Sequence, residues 1–252
     1  MTPSGHVLLT NDDGFDAPGI AALAEAAARV FARVSVVAPE REQSAMSHAL
    51  TIRRALRARP RGAGRWSLDG TPTDCVNVAL YQLLDAPPDA VLSGVNAGYN
   101  LGDDLTYSGT VAGALEARLL GVPSFAFSAG WEAGPEEFAE AAEIAVSLAS
   151  QALREGLPLD AFLNVNIPKH PRGVRAARQG RRAEPVALGR NGAEGEGLFE
   201  VALNDAWRPE PGADHAAVAE GYVSVTPLHA DLTFHRALPV VEGWALRLEG
   251  DR

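Results

Sequence analysis

The chain alternates short apolar runs with longer segments of helical periodicity. Val7-Leu8-Leu9 forms the centre of a first strand that breaks into Asn11-Asp12-Asp13-Gly14. Residues 17–30 are Ala-rich with apolar spacing suited to a helix, opened by Pro18 near its first turn. Residues 34–38 read as a β-rich run ended by Pro39. Residues 71–84 read as a helix with Thr71 as cap and Pro72 at its first position. A strand over 90–94, a helix over 108–120 closed by Gly121, a strand over 122–127, a helix over 136–153 and a strand over 161–165 follow. Strands alternating with helices in this way predict an α/β protein with a doubly wound, mostly parallel sheet of Rossmann-like type.

Two segments interrupt the alternation. Residues 49–68, from Leu50-Thr51-Ile52 onward, read as β-hairpin material inserted after the second strand. From 173 to 228 the chain is rich in Gly, Pro, Arg and Glu, with short β-like stretches at 198–203 and 222–227. These features predict a catalytic core over 1–170 and a smaller β-rich appendage with a C-terminal tail over 171–252. The low apolar density of the appendage argues against a second independent core and suits a role in oligomer contacts.

Of the 252 residues, 46% are hydrophobic, enough for a sizeable core. Twenty-two basic against 32 acidic residues leave a formal charge of −10, which argues against a nucleic-acid polymer as partner. No apolar run is long enough to span a membrane, and the N-terminal residues lead straight into a strand without a signal-peptide layout. The single cysteine, Cys75, excludes an intrachain disulfide and agrees with a reducing, cytoplasmic location; its apolar helical setting marks it as a core residue.

The candidate chemistry gathers at strand ends. Neighbouring side chains on a strand point to opposite faces, so Asp12 and Asp13 can converge only if the strand stops there, and Gly14 permits the turn. Two carboxylates at the carboxyl end of a first strand lie where open α/β sheets bind ligands, and hard oxygen donors suit Mg²⁺, Mn²⁺ or Ca²⁺. Read alone, Asn-Asp-Asp-Gly is equally a solvated Asx-rich turn. Ser44, after the second strand, and Asn96, after the strand at 90–94, lie on the same edge and offer short neutral oxygens to complete such a shell. Ser108, Gly109 and Thr110 open a helix whose N–H groups and hydroxyls form an anion site, although Ser108 alone reads equally as an N-cap. Asp103-Asp104 follows a long glycine-rich loop and is expected to brace it. His48 is a further candidate for catalysis or for simple packing, and Arg41 is the nearest candidate phosphate clamp.

Leu9-Thr10-Asn11-Asp12-Asp13-Gly14 with Ala17-Pro18-Gly19-Ile20 resembles the opening signature of the SurE (survival protein E) nucleotidases. In order along the chain, further matches are Val37-Ala38-Pro39-Glu40 with Gln43-Ser44-Ala45, Gly70-Thr71-Pro72-Thr73-Asp74-Cys75-Val76, the run from Ser93 to Gly102, Tyr107-Ser108-Gly109-Thr110-Val111, Asn164-Val165-Asn166-Ile167-Pro168 and Val225-Thr226-Pro227-Leu228. The resemblance implies a metal-dependent phosphomonoesterase acting on nucleoside 5′-monophosphates, with 3′-monophosphates and short polyphosphate as further candidates. It implies one divalent ion per subunit, Mg²⁺ or Mn²⁺, held by Asp12, Asp13, Ser44 and Asn96, with Asp12, Asp13 and Asn96 carrying catalysis. Asn11, Ser108, Gly109 and Thr110 then meet the substrate, and the assembly is a homodimer or homotetramer. The rival readings are a covalent aspartyl-phosphate phosphatase and a non-catalytic metal- and nucleotide-binding sensor. Haloacid-dehalogenase-like phosphatases space their two aspartates by one residue, and the adjacency here speaks against the first rival.

Overall fold

The structure, a computed structural model, describes residues 5–158, 160–184, 186–191, 198–203 and 206–250. Its centre is a nine-stranded sheet in the order β3-β4-β2-β1-β5-β6-β7-β11-β8. In chain order the strands and helices are β1 (His6–Thr10), α1 (Pro18–Ala28), β2 (Arg33–Pro39), β3 (Ala58–Gly62), β4 (Arg65–Leu68), α2 (Pro72–Val78), β5 (Ala90–Ala97), α3 (Gly109–Leu119), β6 (Ser124–Ala129), α4 (Pro135–Glu155), β7 (Ala161–Ile167), β8 (Val174–Ala176), β9 (Val186–Asn191), β10 (Leu198–Leu203), α5 (Asp214–Ala219), β11 (Val223–His229) and α6 (Leu238–Gly250). The six strands from β4 through β7 in this order are parallel; β3 pairs antiparallel with β4 and β11 antiparallel with β7, while β8 runs parallel to β11.

Because side chains alternate along a strand, β1 feeds two cores. Val7 and Leu9 join Ile20, Leu23, Phe138 and Ala142 on the α1/α4 face, while Leu8 joins Val37, Cys75 and Val76 on the opposite face. The expected doubly wound α/β architecture is therefore present, with both faces of the parallel sheet covered by helices. Cys75 is fully buried, as expected, and burial pushes its thiol well up.

The helix expected over 71–84 forms as α2 followed by one π-helical turn over Ala79–Leu83. Its start is fixed locally: Thr71 accepts from the Asp74 amide while Asp74 accepts from the Thr71 amide, with Pro72 at the first helical position.

Two regions differ from the sequence expectation. Of the hairpin expected over 49–68, only 58–62 and 65–68 are strand, and they join the edge of the main sheet through β4 and β2. Leu50 and Ile52 remain exposed. The reason is that the α2 cap takes the backbone groups a strand would use: Thr71 Oγ1 donates to the Ala49 carbonyl at 2.7 Å, and the Thr51 amide donates to Asp74 Oδ1 at 2.9 Å. At the other end, β11 and β8 extend the main sheet beyond β7, so the β-like stretch at 222–227 belongs to the sheet. β9 and β10 form a separate two-stranded antiparallel ribbon.

Candidate active site

The chain leaves β1 toward β2 on one side and returns at β5 on the other, so the strand order reverses between β1 and β5. Loops at the carboxyl ends of strands flanking such a switch point diverge and open a crevice. Asp12 and Asp13 lie just beyond β1, and Asn96 lies at the end of β5, where the register with β6 shifts between Ser93 and Asn96. Asp12, Asp13 and Asn96 therefore lie at the switch point.

The turn after β1 is built by its own residues. Gly14 has φ +105°, and Asn11, fully buried, donates from Nδ2 to the Gly14 carbonyl at 2.8 Å. Asn11 Oδ1 is buried without a hydrogen-bond partner among the described residues. The loop after β2 is tied to this turn by Gln43 N donating to Asp12 O and by Phe15 N donating to Pro39 O, both at 2.7 Å. These bonds bring Ser44, whose Oγ donates to Glu42 at 2.8 Å, into a cleft of about 580 Å³ shared with Asp13, Arg41 and Ala97.

Asp12 is only 5% exposed and faces the start of α3. Thr110 Oγ1 donates to Asp12 Oδ1, and a Cβ built on Gly109 would fall 2.7 Å from Asp12 Cβ and 2.8 Å from its Oδ2. Only glycine lets the helix end approach so closely. Burial raises the Asp12 carboxyl above its ordinary range, while the Thr110 hydroxyl and the Thr110 and Gly109 amides act in the opposite direction. Ser108 is the N-cap, accepting from Val111 N at 3.1 Å. The helix opening predicted as an anion site thus faces the carboxylate of Asp12.

Asp13 accepts from the Ala97 amide at 3.2 Å. Burial, then the charge of Asp12, push its carboxyl up to about 6. Asn96 donates from Nδ2 to the Gly98 carbonyl at 2.7 Å, which turns its amide so that Oδ1 remains as the acceptor end. Among the described residues, no cationic side chain pairs with Asp12 or Asp13, and no group of three or more His, Cys, Asp or Glu could hold a metal. The donors present are two carboxylates without a counter-charge, a hydroxyl and an amide oxygen, an all-oxygen set that fits a hard divalent cation.

Several supports were not apparent in the sequence. Asn100 anchors the 96–108 loop by accepting from Asn164 and Asn166 Nδ2 at 2.9 Å and donating to Ser128 Oγ at 2.8 Å. The i, i+2 asparagines of β7, on one face of an otherwise apolar strand, were the available signal. Asp103 and Asp104 brace this loop as expected, Asp104 pairing with buried Arg182 at 2.5 Å and Asp103 accepting the Arg182 amide at 2.8 Å. His48 bonds Glu116 of α3 at 2.6 Å, and Asn77 holds the other Glu116 oxygen at 2.6 Å, so His48 anchors the Ser44-bearing loop.

Comparison with known proteins identifies the family. Residues 7–185 match the family described as Survival protein SurE. The 5′-nucleotidase SurE of Geotalea daltonii is 46% identical over 246 residues, covering 95% of this chain and 99% of the relative. That of Geobacter sulfurreducens is 46% identical over 247 residues, covering 96% and 94%. The crystal structure of the SurE protein from Aquifex aeolicus superposes with a TM-score of 0.85 at 43% identity, covering 95% of this chain and 99% of that one. With a family match over most of its length and relatives of this identity, the chain belongs to the SurE family.

Proposed function

We propose that this chain is a 5′-nucleotidase that hydrolyses nucleoside 5′-monophosphates to nucleoside and phosphate with the help of one divalent cation, Mg²⁺ or Mn²⁺. As a phosphoric monoester hydrolase it shares the activity named for its SurE relatives. The observation that carries the metal-dependent reading is the pair of uncompensated carboxyls, Asp12 and Asp13, at the switch point. Asp12, Asp13, Ser44 and Asn96 would hold the cation. When bound, it supplies Lewis-acid polarisation of a phosphoryl oxygen and lowers the pKa of water.

The chain's own residues supply the rest. Thr110 and the amides at the start of α3 fix Asp12 in one orientation, so no reorganisation is needed during the reaction. Asp13, half-buried and lining the cleft, is the carboxylate placed to accept a proton from the attacking water. Arg41, lining the same cleft, is the cationic side chain available to phosphoryl oxygens. Nucleoside 3′-monophosphates and short polyphosphate are further substrates under the same chemistry, and a homodimer or homotetramer is the expected assembly.

The test is phosphate release from a panel of nucleoside monophosphates, with and without chelator. Release that stops on chelation and returns with Mg²⁺ or Mn²⁺ is expected. Nucleotide binding without release would favour the sensor, and retention of configuration at a chiral phosphorus would favour a covalent intermediate.

A further inference from the structure

The cleft beside Asp13 contains three aromatic side chains, Phe15, Phe138 and Trp131. Phe138 is buried in the α1/α4 core, and the ring of Phe15 is covered by the Arg61 guanidinium at 4.4 Å. Trp131, in the loop between β6 and α4, is 78% exposed. Its indole is backed by the chain: a Cβ on Gly98 would come within 2.5 Å of the ring, so the absence of that atom lets the indole lie on the backbone of the Asn96 loop. Trp131 also lines a second cavity of about 290 Å³, with Tyr99, Glu132 and Lys169, and so forms the wall between that cavity and the Asp13 cleft. Both volumes lie at or near the range of about 300–1,000 Å³ usual for small-ligand sites.

A supported, solvent-facing indole beside a phosphate-handling cleft has the properties of a base-stacking platform. Every nucleobase has a π-face, so stacking is tolerant of base identity. We propose that Trp131 binds the base of a nucleoside monophosphate by stacking, and thereby distinguishes nucleotides from phosphomonoesters that lack a base. The proposal rests on the nucleotidase reading above. It makes Trp131 a specificity-determining residue: contacts made equally in ground and transition state change KM and leave kcat in place.

The test compares wild type, Trp131→Ala and Trp131→Phe on AMP and on ribose 5-phosphate, which keeps the phosphate and sugar without the base. Trp131→Ala is expected to raise KM for AMP about tenfold or more, with kcat and the KM for ribose 5-phosphate within about twofold. Trp131→Phe keeps a stacking surface and is expected to recover most of the loss. Quenching of tryptophan fluorescence by AMP gives a second readout that needs no turnover; it should be present in wild type and lost in Trp131→Phe. An equal rise in KM for both substrates, an unchanged KM for AMP, or quenching that survives in Trp131→Phe would each overturn the proposal. Absence of phosphate release from every monoester would instead overturn the nucleotidase reading, leaving the quenching comparison to decide the role of Trp131.

Discussion

Thr110→Val removes one hydroxyl and keeps the side-chain shape, which isolates the hydrogen bond to Asp12. Thr110 is 0% exposed, so water cannot enter to replace the lost donor. A hydrogen bond to a charged group is worth about 1.5–3 kcal/mol, and about 1.4 kcal/mol corresponds to a tenfold change. The expected loss in kcat/KM is therefore about 10- to 150-fold. The sign of the pH effect follows from the same contact. The hydroxyl stabilises the ionised form of a carboxyl that burial already raises, so its removal raises that carboxyl further and moves the acidic limb of kcat/KM to higher pH. The assay is phosphate release from AMP across pH 5–9, with Thr110→Ser as the variant that restores the donor. A Thr110→Val enzyme within about twofold of wild type at every pH would refute the idea that this hydroxyl orients Asp12.

Gly109→Ala should lower kcat/KM by on the order of 100-fold, because the new Cβ would stand 2.8 Å from Asp12 Oδ2 and must displace the carboxylate; an active Ala variant would contradict the close approach. Asp13 is charged above about 6 in the metal-free fold but already above 3.8 in the unfolded chain, so its ionisation removes stability as pH rises through that window. Asp13→Asn should therefore raise the Tm of the metal-free protein at pH 7 and leave it nearly unchanged at pH 4. With saturating Mn²⁺ the order at pH 7 should reverse, and a destabilised metal-free variant at pH 7 would refute the charge argument.

The legible parts of the sequence are those fixed locally. The break of β1 at Asn11, the cap at Thr71 and Asp74 with Pro72, and the N-cap at Ser108 depend on residues within one turn of each other. The alternation of apolar runs with helices was enough for the parallel core, because strands buried on both faces read as continuous apolar segments. The link from Thr110 to Asp12 spans 98 residues and exists only once α3 has docked across β1 and β5, so no local pattern could disclose it. Leu50-Thr51-Ile52 has β-like composition, yet its backbone groups are taken by the α2 cap, a tertiary contact that overrides propensity. The stretch at 222–227 was legible as β, but its place in the main sheet was not, because it rests on pairing with β7, distant along the chain. Trp131 carried no signal in the sequence because which cleft it lines is decided only by the tertiary fold.

Asp12 and Asp13 are expected to hold a divalent cation. Mn²⁺ titration followed by electron paramagnetic resonance measures this without turnover. One tight site per chain is expected in the wild type, lost in Asp12→Asn and in Asp13→Asn, and retained in Asp103→Asn, whose carboxyl braces the neighbouring loop. Tight, stoichiometric Mn²⁺ binding that persists in the Asp12→Asn, Asp13→Asn double variant would show that these carboxylates do not hold the ion.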